Sequence, residues 1–186
     1  RQHPADGPED RALNERCLVM GNMGPPMIPG PYNNNFQIFQ TPEKIVLLTE
    51  MLHTSRVIPL DGRPHLPSGV RQWLGDSVGH WEGDTLVVDV VGMHAENEIY
   101  YGFVGGKNMH GVERIHLTDA NTLAFDITID APDVLTASYR YTNSLGRHRD
   151  WTTVEFDCGQ NQRSVDDKGN QTMILDKQSY SAGGKE

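Results

Sequence analysis

Hydrophobic residues recur at every second position along much of this chain. The clearest case is the series Leu123, Phe125, Ile127 and Ile129, which is interleaved with small or polar residues. Such alternation is typical of a half-buried β-strand. Similar short, β-rich runs predict strands at 36–40, 44–50, 55–59, 85–91, 112–117, 122–129, 135–142 and 152–157.

Turn signals separate these runs, among them Asp61-Gly62 and Ser144-Leu145-Gly146, and no window of eleven or more residues has helical periodicity. A meander of short strands predicts an all-β fold, specifically an antiparallel, lipocalin-like β-barrel of about 8–9 strands with few short helices. A β-sandwich is the alternative that the same pattern allows.

The two ends of the chain lack this alternation. Residues 1–12 are polar and predict a flexible N-terminal arm, residues 13–160 predict a single β-barrel domain, and residues 161–186 predict a C-terminal extension. Segment 21–31 holds four prolines and three glycines, which exclude a helix interior and a central strand. The apolar side chains in and beside it are expected to pack across another part of the molecule: Met20, Met23, Met27 and Ile28.

Composition and charge limit the partners. The chain has 186 residues, the length of one domain that can bury a core of its own. Its net charge is −9, from 25 acidic and 16 basic residues, whereas a nucleic-acid-binding surface is basic. The longest apolar runs, at 45–48 and 86–91, fall far short of the ~20 residues of a membrane span. We therefore expect neither a nucleic acid nor a membrane as the partner.

Cys17 and Cys158 are the only two cysteines. An even number in an acidic chain rich in glycine and proline fits an oxidising compartment, where one disulfide would tie the N-terminal segment to the last strand. Two free thiols are the alternative.

The densest group of polar and aromatic side chains lies between residues 51 and 81. Residues 61–76 have no strand pattern and predict a long loop, and long ordered loops on a β scaffold commonly line a site. His53 and Arg56 lie three positions apart, on opposite faces of a regular strand, so one of them points inward. A buried charge there needs a partner, and the candidates are Glu50, Asp61 and Asp76.

We expect the catalytic residues to be His53, Arg56, Asp76 and His80. In this hypothesis His53 or His80 acts as a base, Asp76 orients it, and Arg56 stabilises an oxyanion or enolate. The side chains expected to contact a substrate are Trp73, Trp81, His94, Tyr100, Tyr101, Arg63 and His65. A solvated surface loop and ordinary strand-end packing are the structural alternative.

Other chemistries find less support in the sequence. The eight histidines have no compact ligand spacing, and a metal site would have to combine separate segments that carry His53, His65, His80 and His94. The chain has no Gly-x-Ser-x-Gly elbow, no P-loop and no dinucleotide-binding fingerprint. We therefore expect no metal and no cofactor.

Three blocks of sequence carry a resemblance to a known family: PGPYNNN at 29–35, RVIPLDGRPH at 56–65 and WLGDSVGHWEGDTLVVD at 73–89. In this combination the chain, over residues 13–160, resembles a large, uncharacterised family of exported bacterial proteins that is abundant in soil lineages. The resemblance implies a periplasmic or extracellular location and a Cys17–Cys158 disulfide, and it implies no catalytic residue. The turn at 79–85 is also similar to a turn of lipocalin-like barrels.

The preferred hypothesis is a secreted small-molecule-binding β-barrel that acts as a cofactor-independent acid–base enzyme. The reaction would be that of a lyase, isomerase or hydrolase on a small aromatic or carbonyl-bearing compound. Three alternatives remain open: a non-catalytic periplasmic ligand carrier, a metal-dependent hydrolase that uses scattered histidines, and an extracellular structural protein. In the last of these, residues 20–32 would form a contact between subunits of a homo-oligomer.

Overall fold

A computed structural model describes residues 13–14, 16–19, 24, 27, 34–100, 103–154, 163–165 and 171–173, with the backbone alone at 98–100, 163–165 and 171–173. These residues form β-strands, connecting turns and a short 3-10 turn at Met51–His53. No helix among them is long and apolar enough to cross a bilayer.

The first sheet consists of β1 (Phe36–Gln40), β2 (Lys44–Thr49) and β3 (Ser55–Pro59), which pair antiparallel in chain order. Leu47 of β2 is paired with Arg56 of β3, and all the inward side chains of β3 are buried. Val57, between them, is half exposed on the outer face. The period of two in the sequence therefore separates an inner face from an outer face.

The second sheet has five antiparallel strands: β4 (Asp76–Glu82), β5 (Thr85–Val91), β8 (His110–Asp119), β9 (Thr122–Asp130) and β10 (Tyr139–Gly146). Their order is β10-β9-β8-β5-β4, so β4 and β10 are its edges. Two short hairpins pair β6 (Glu98–Tyr100) with β7 (Phe103–Val104), and β11 (Arg163–Val165) with β12 (Gln171–Met173).

The hydrophobic core lies between the two sheets. Leu47 and Ile58 from the first sheet pack with fully buried residues of β5 and β9 in the second. The Phe36 ring contacts Phe125 edge-on, with ring centroids 5.8 Å apart. Met27 is buried in the same core, which confirms that the proline-rich segment packs against the domain at this residue. Met20, Met23 and Ile28 lie outside the described residues.

The predicted all-β antiparallel fold is confirmed, but the described strands do not close into a barrel. The two sheets are separate hydrogen-bonded ladders, an arrangement consistent with a β-sandwich or an open barrel. Most predicted strands coincide with observed ones. The run at 135–142 begins too early, because Val134 and Leu135 both donate to the Ala131 carbonyl in a turn, and residues 152–154 of the last predicted strand have no regular structure.

The sequence patterns did not predict β4, because the first two of its inward residues are small. Ser77 and Gly79 face the first sheet, and a Cβ atom on Gly79 would lie 2.8 Å from Cγ2 of Ile58 and 3.0 Å from Cδ2 of Leu60. Close approach of β3 to β4 thus requires a glycine at this position. Of the inward residues of β4, Trp81 alone is large, so the strand has no hydrophobic alternation to detect.

Candidate functional site

The predicted site residues Arg63, His65 and Asp76 come together at the start of β4, on the outer face of the five-stranded sheet. Arg63 donates two hydrogen bonds to the Asp76 carboxylate, at 2.5 and 3.2 Å. His65 Nδ1 lies 2.9 Å from Asp76 Oδ2, and the Leu66 amide donates to the same oxygen at 2.9 Å. The loop at 61–66 therefore folds over Asp76, whose side chain is only 6% exposed.

The environment of Asp76 keeps this carboxylate ionised. Burial alone would raise its pKa, but hydrogen bonds from Arg63, the Leu66 amide and His65 outweigh burial and lower the pKa from 3.8 to about 2. The same contact raises the pKa of Arg63. A fixed negative charge is thus held against one nitrogen of an imidazole ring.

Asp89 and His110 extend this group across the outer face. His65 Nε2 lies 3.5 Å from Asp89 Oδ2, and His110 Nε2 lies 2.5 Å from Asp89 Oδ1. Asp89 shares the outward face of β5 because Leu86, Val88 and Val90 point into the core. Together, Arg63, Asp76, His65, Asp89 and His110 alternate basic and acidic groups, and we call them the outer His–Asp chain.

Arg56 points inward, as one residue of the pair His53 and Arg56 was expected to do. Its Nη1 lies 2.7 Å from Glu113 Oε2, and its Nε donates to Ser77 Oγ at 3.0 Å. Arg56 is 3% exposed and Glu113 is fully buried. The partner of Arg56 is therefore Glu113, and none of the expected partners Glu50, Asp61 and Asp76.

Three polar atoms of this buried cluster have no hydrogen-bond partner in the described part of the chain. They are Arg56 Nη2, Glu113 Oε1 and the hydroxyl oxygen of Tyr141. Burial, together with the negative charge of Glu113, raises the pKa of Tyr141. The ion pair that joins the two sheets therefore uses only part of the hydrogen-bonding capacity of its two side chains.

The four predicted catalytic residues do not converge, since no hydrogen bond or ion pair joins any two of them in the described residues. His53 is exposed in the turn between β2 and β3. His80 is exposed on β4 and lies 3.3 Å from Glu82. Arg56 points into the core between the sheets, whereas Asp76 lies on the outer face of the five-stranded sheet, under the loop at 61–66.

The predicted substrate-contacting residues are also distributed over several places. The Trp73 ring packs against the His94 ring, with centroids 4.1 Å apart and ring planes tilted by 34°. Trp81 borders the inter-sheet pocket described below. The side chain of Tyr100, the whole of Tyr101 and Cys158 lie outside the described residues.

A pocket of about 700 Å³ opens between the sheets, at the end of the second sheet that holds the β4–β5 and β8–β9 turns. We call it the inter-sheet pocket. Its buried or half-buried apolar lining consists of Phe36, Ile45, Leu47, Leu86, Ile115, Leu123 and Leu145. Large apolar side chains that line it and stay exposed define its mouth: Ile38, Trp81, Leu117 and Trp151.

The polar lining of the inter-sheet pocket includes Glu50, Asp84, Arg147 and His148. Glu50 follows β2 and is 4% exposed, whereas the other three are exposed. His148 stacks on Trp151 with ring centroids 4.8 Å apart. The pocket thus combines an apolar interior with a few polar groups, which is the composition of small-molecule sites.

Sequence reasoning missed Glu50, Asp89, His110 and Glu113 as site residues. The inward position of Glu113 could have been predicted in part, since Glu113 lies two residues before the apolar Ile115 and therefore on the same face of the strand. A charged residue at such a position needs a buried partner. Asp89 could also have been identified, because it interrupts an apolar run at a position that faces outward.

No group of three or more histidine, cysteine, aspartate or glutamate side chains in the described ranges could hold a metal ion. Comparisons with protein-family models, curated proteins and solved structures gave no match to this chain. The family resemblance, the exported location and the Cys17–Cys158 disulfide therefore stay predictions.

Proposed function

We propose that this protein binds a small, largely apolar organic molecule in the inter-sheet pocket, as an open, lipocalin-like barrel would. The single observation that carries the proposal is the pocket itself. Its volume of about 700 Å³ lies within the roughly 300–1,000 Å³ of small-molecule sites. Its interior is apolar and is formed by strands of both sheets.

The mouth of the pocket supports the same proposal. Trp81 and Trp151 are 45% and 63% exposed, although both are large apolar side chains. Exposed aromatic side chains around a concave apolar surface are typical of ligand-binding sites. A flat, apolar ligand would cover both indole rings as it entered.

The test uses N-phenyl-1-naphthylamine, a neutral fluorescent aromatic probe, titrated into the protein at pH 7. Trp81→Ala and Trp151→Ala are each expected to raise Kd about five- to tenfold, since each removes one aromatic wall. Trp73→Ala is the matched control, because Trp73 packs against His94 and does not line the pocket. Absence of probe binding, or equal loss in all three variants, contradicts the proposal.

The outer His–Asp chain favours a second candidate function, acid–base catalysis on a small carbonyl compound or ester. Asp76 accepts from one nitrogen of His65 and fixes the ring, which leaves Nε2 to accept a proton on the side that Asp89 and solvent share. A buried carboxylate that orients an imidazole is the arrangement of general bases in hydrolases. In this candidate His65 takes the role first expected of His53 or His80.

Hydrolysis of p-nitrophenyl acetate tests this second candidate. His65→Gln is expected to lower the rate at least about 100-fold, the lower end of the typical contribution of a general base. His80→Gln is the control, since His80 is exposed on the same face and lies 3.3 Å from Glu82. A rate that is unchanged in His65→Gln, or no rate above buffer in the unmodified protein, removes this candidate.

A further inference from the structure

Glu50 differs from the other buried acidic residues in the described part of the chain, which are Asp76 and Glu113. Asp76 is paired with Arg63, and Glu113 is paired with Arg56. No lysine, arginine or histidine among the described residues lies within ion-pair distance of Glu50. Within the described ranges, Glu50 is therefore the buried carboxylate that has no cationic partner.

The described groups that donate to this carboxylate are both uncharged. Asn35 Nδ2 lies 3.3 and 3.4 Å from its two oxygens, and the Val154 amide donates to Oε2 at 3.2 Å. These distances are longer than the usual 2.9–3.0 Å of N–H···O bonds. An ionised carboxylate offers about four acceptor positions, so three long contacts from two donors leave part of its capacity unused.

Burial of an unpaired charge is costly, and proteins normally offset the cost with a counter-ion. Glu50 lines the inter-sheet pocket, so a bound molecule can supply that counter-ion. Trp81 and Trp151 line the same pocket, and indole faces attract organic cations. The arginine among the lining residues, Arg147, is exposed at the surface, where water screens its charge.

We propose that the ligand of the inter-sheet pocket is a small organic cation, an amine or quaternary ammonium group on an apolar body, with its positive charge held by Glu50. This inference rests on the proposed function of the same pocket. It adds the charge of the ligand and the side chain that recognises it. The net charge of −9 acts in the same direction, because an acidic protein concentrates cations near its surface.

The experiment compares three naphthalene ligands of similar size by calorimetric titration at pH 7: 1-naphthylmethylammonium, 1-naphthalenemethanol and 1-naphthoate. The unmodified protein is expected to bind the cation about tenfold more tightly than the alcohol, and the anion least tightly. Glu50→Gln keeps the acceptor oxygen for Asn35 and Val154 but removes the charge. It is expected to abolish the preference for the cation and to leave alcohol affinity within about twofold.

Glu43→Gln is the matched control, since Glu43 is exposed in the β1–β2 turn and does not line the pocket. It should keep the full preference for the cation. The comparison of ligands on the unmodified protein needs no variant, so it remains decisive if Glu50→Gln fails to fold. Equal affinity for the cation and the alcohol overturns the charge inference and leaves the pocket in place. Binding of none of the three ligands overturns the proposed function as well.

Discussion

Removal of the positive charge from the core is expected to destabilise the protein severely. In Arg56→Met, Glu113 would remain fully buried, 2.7 Å from a position that no longer holds a guanidinium group. Loss of one partner from a buried ion pair costs about 3–5 kcal/mol, because the remaining charge is uncompensated. With a urea m-value of about 2 kcal/mol/M, the unfolding midpoint should fall by about 2 M.

Urea unfolding at pH 7, followed by tryptophan fluorescence, measures this change. The matched control is Arg114→Met, on the same strand as Glu113 but on its outer face, where Arg114 lies 2.8 Å from Glu82 and both side chains are nearly half exposed. Surface pairs contribute about 0–1 kcal/mol. An Arg56→Met effect as small as that of Arg114→Met would refute the inward placement of Arg56.

A double variant tests the reasoning further. Arg56→Met combined with Glu113→Leu removes both charges and also the unpaired Arg56 Nη2 and Glu113 Oε1 atoms. Replacement of a whole buried pair by apolar residues is often neutral or stabilising. We therefore expect the double variant to recover most of the stability lost in Arg56→Met, with a coupling energy of about 3 kcal/mol in the cycle.

Two further predictions concern stability. Asp76→Asn is expected to lower the free energy of unfolding at pH 7 by about 2 kcal/mol. Because the folded pKa of Asp76 is about 2, below the ordinary 3.8, this stabilisation is present above pH 4 and is lost towards pH 2. Urea unfolding at pH 2 should therefore show almost no difference between the two proteins, and an undiminished difference at pH 2 contradicts the argument. Gly79→Ala should lower the stability of the folded state by about 1–3 kcal/mol, because the new Cβ would contact Ile58. Gly146→Ala is the control, since its Cβ would meet nothing closer than 3.8 Å, and it should lower the stability less. Thermal unfolding measures both changes, and equal losses contradict close packing at Gly79.

Alternation in the sequence was sufficient to predict the strands with large inward residues. The run Leu123 to Ile129 lies within β9 as expected. The turn after Ala131 was harder to place, because Leu135 is apolar for a different reason: it packs on the core from a turn, outside any strand. Period-two reasoning cannot distinguish these two origins of an apolar residue.

The candidate site was less predictable, because its contacts join distant parts of the chain. Arg56 and Glu113 are 57 positions apart, and which acidic residue meets Arg56 depends on how the two sheets pack. The local pairing of Arg63, His65 and Asp76 lay within the predicted polar region and could be anticipated as a group. The inter-sheet pocket, by contrast, draws its lining from both sheets and from the segment after β10. Of the predicted site residues whose side chains the structure describes, it includes Trp81 alone.

The Arg56–Glu113 contact also bears on which of several similar alignments of the two sheets the chain adopts. Inward positions of β3 recur every second residue, so a slide of the first sheet by two residues would bring Ile58 to the place of Arg56. Apolar packing alone separates such arrangements weakly, because aliphatic side chains of similar volume substitute for one another. The slide would leave the Glu113 carboxylate among methyl groups. We therefore expect this single polar contact to select one alignment of the two sheets over its neighbours.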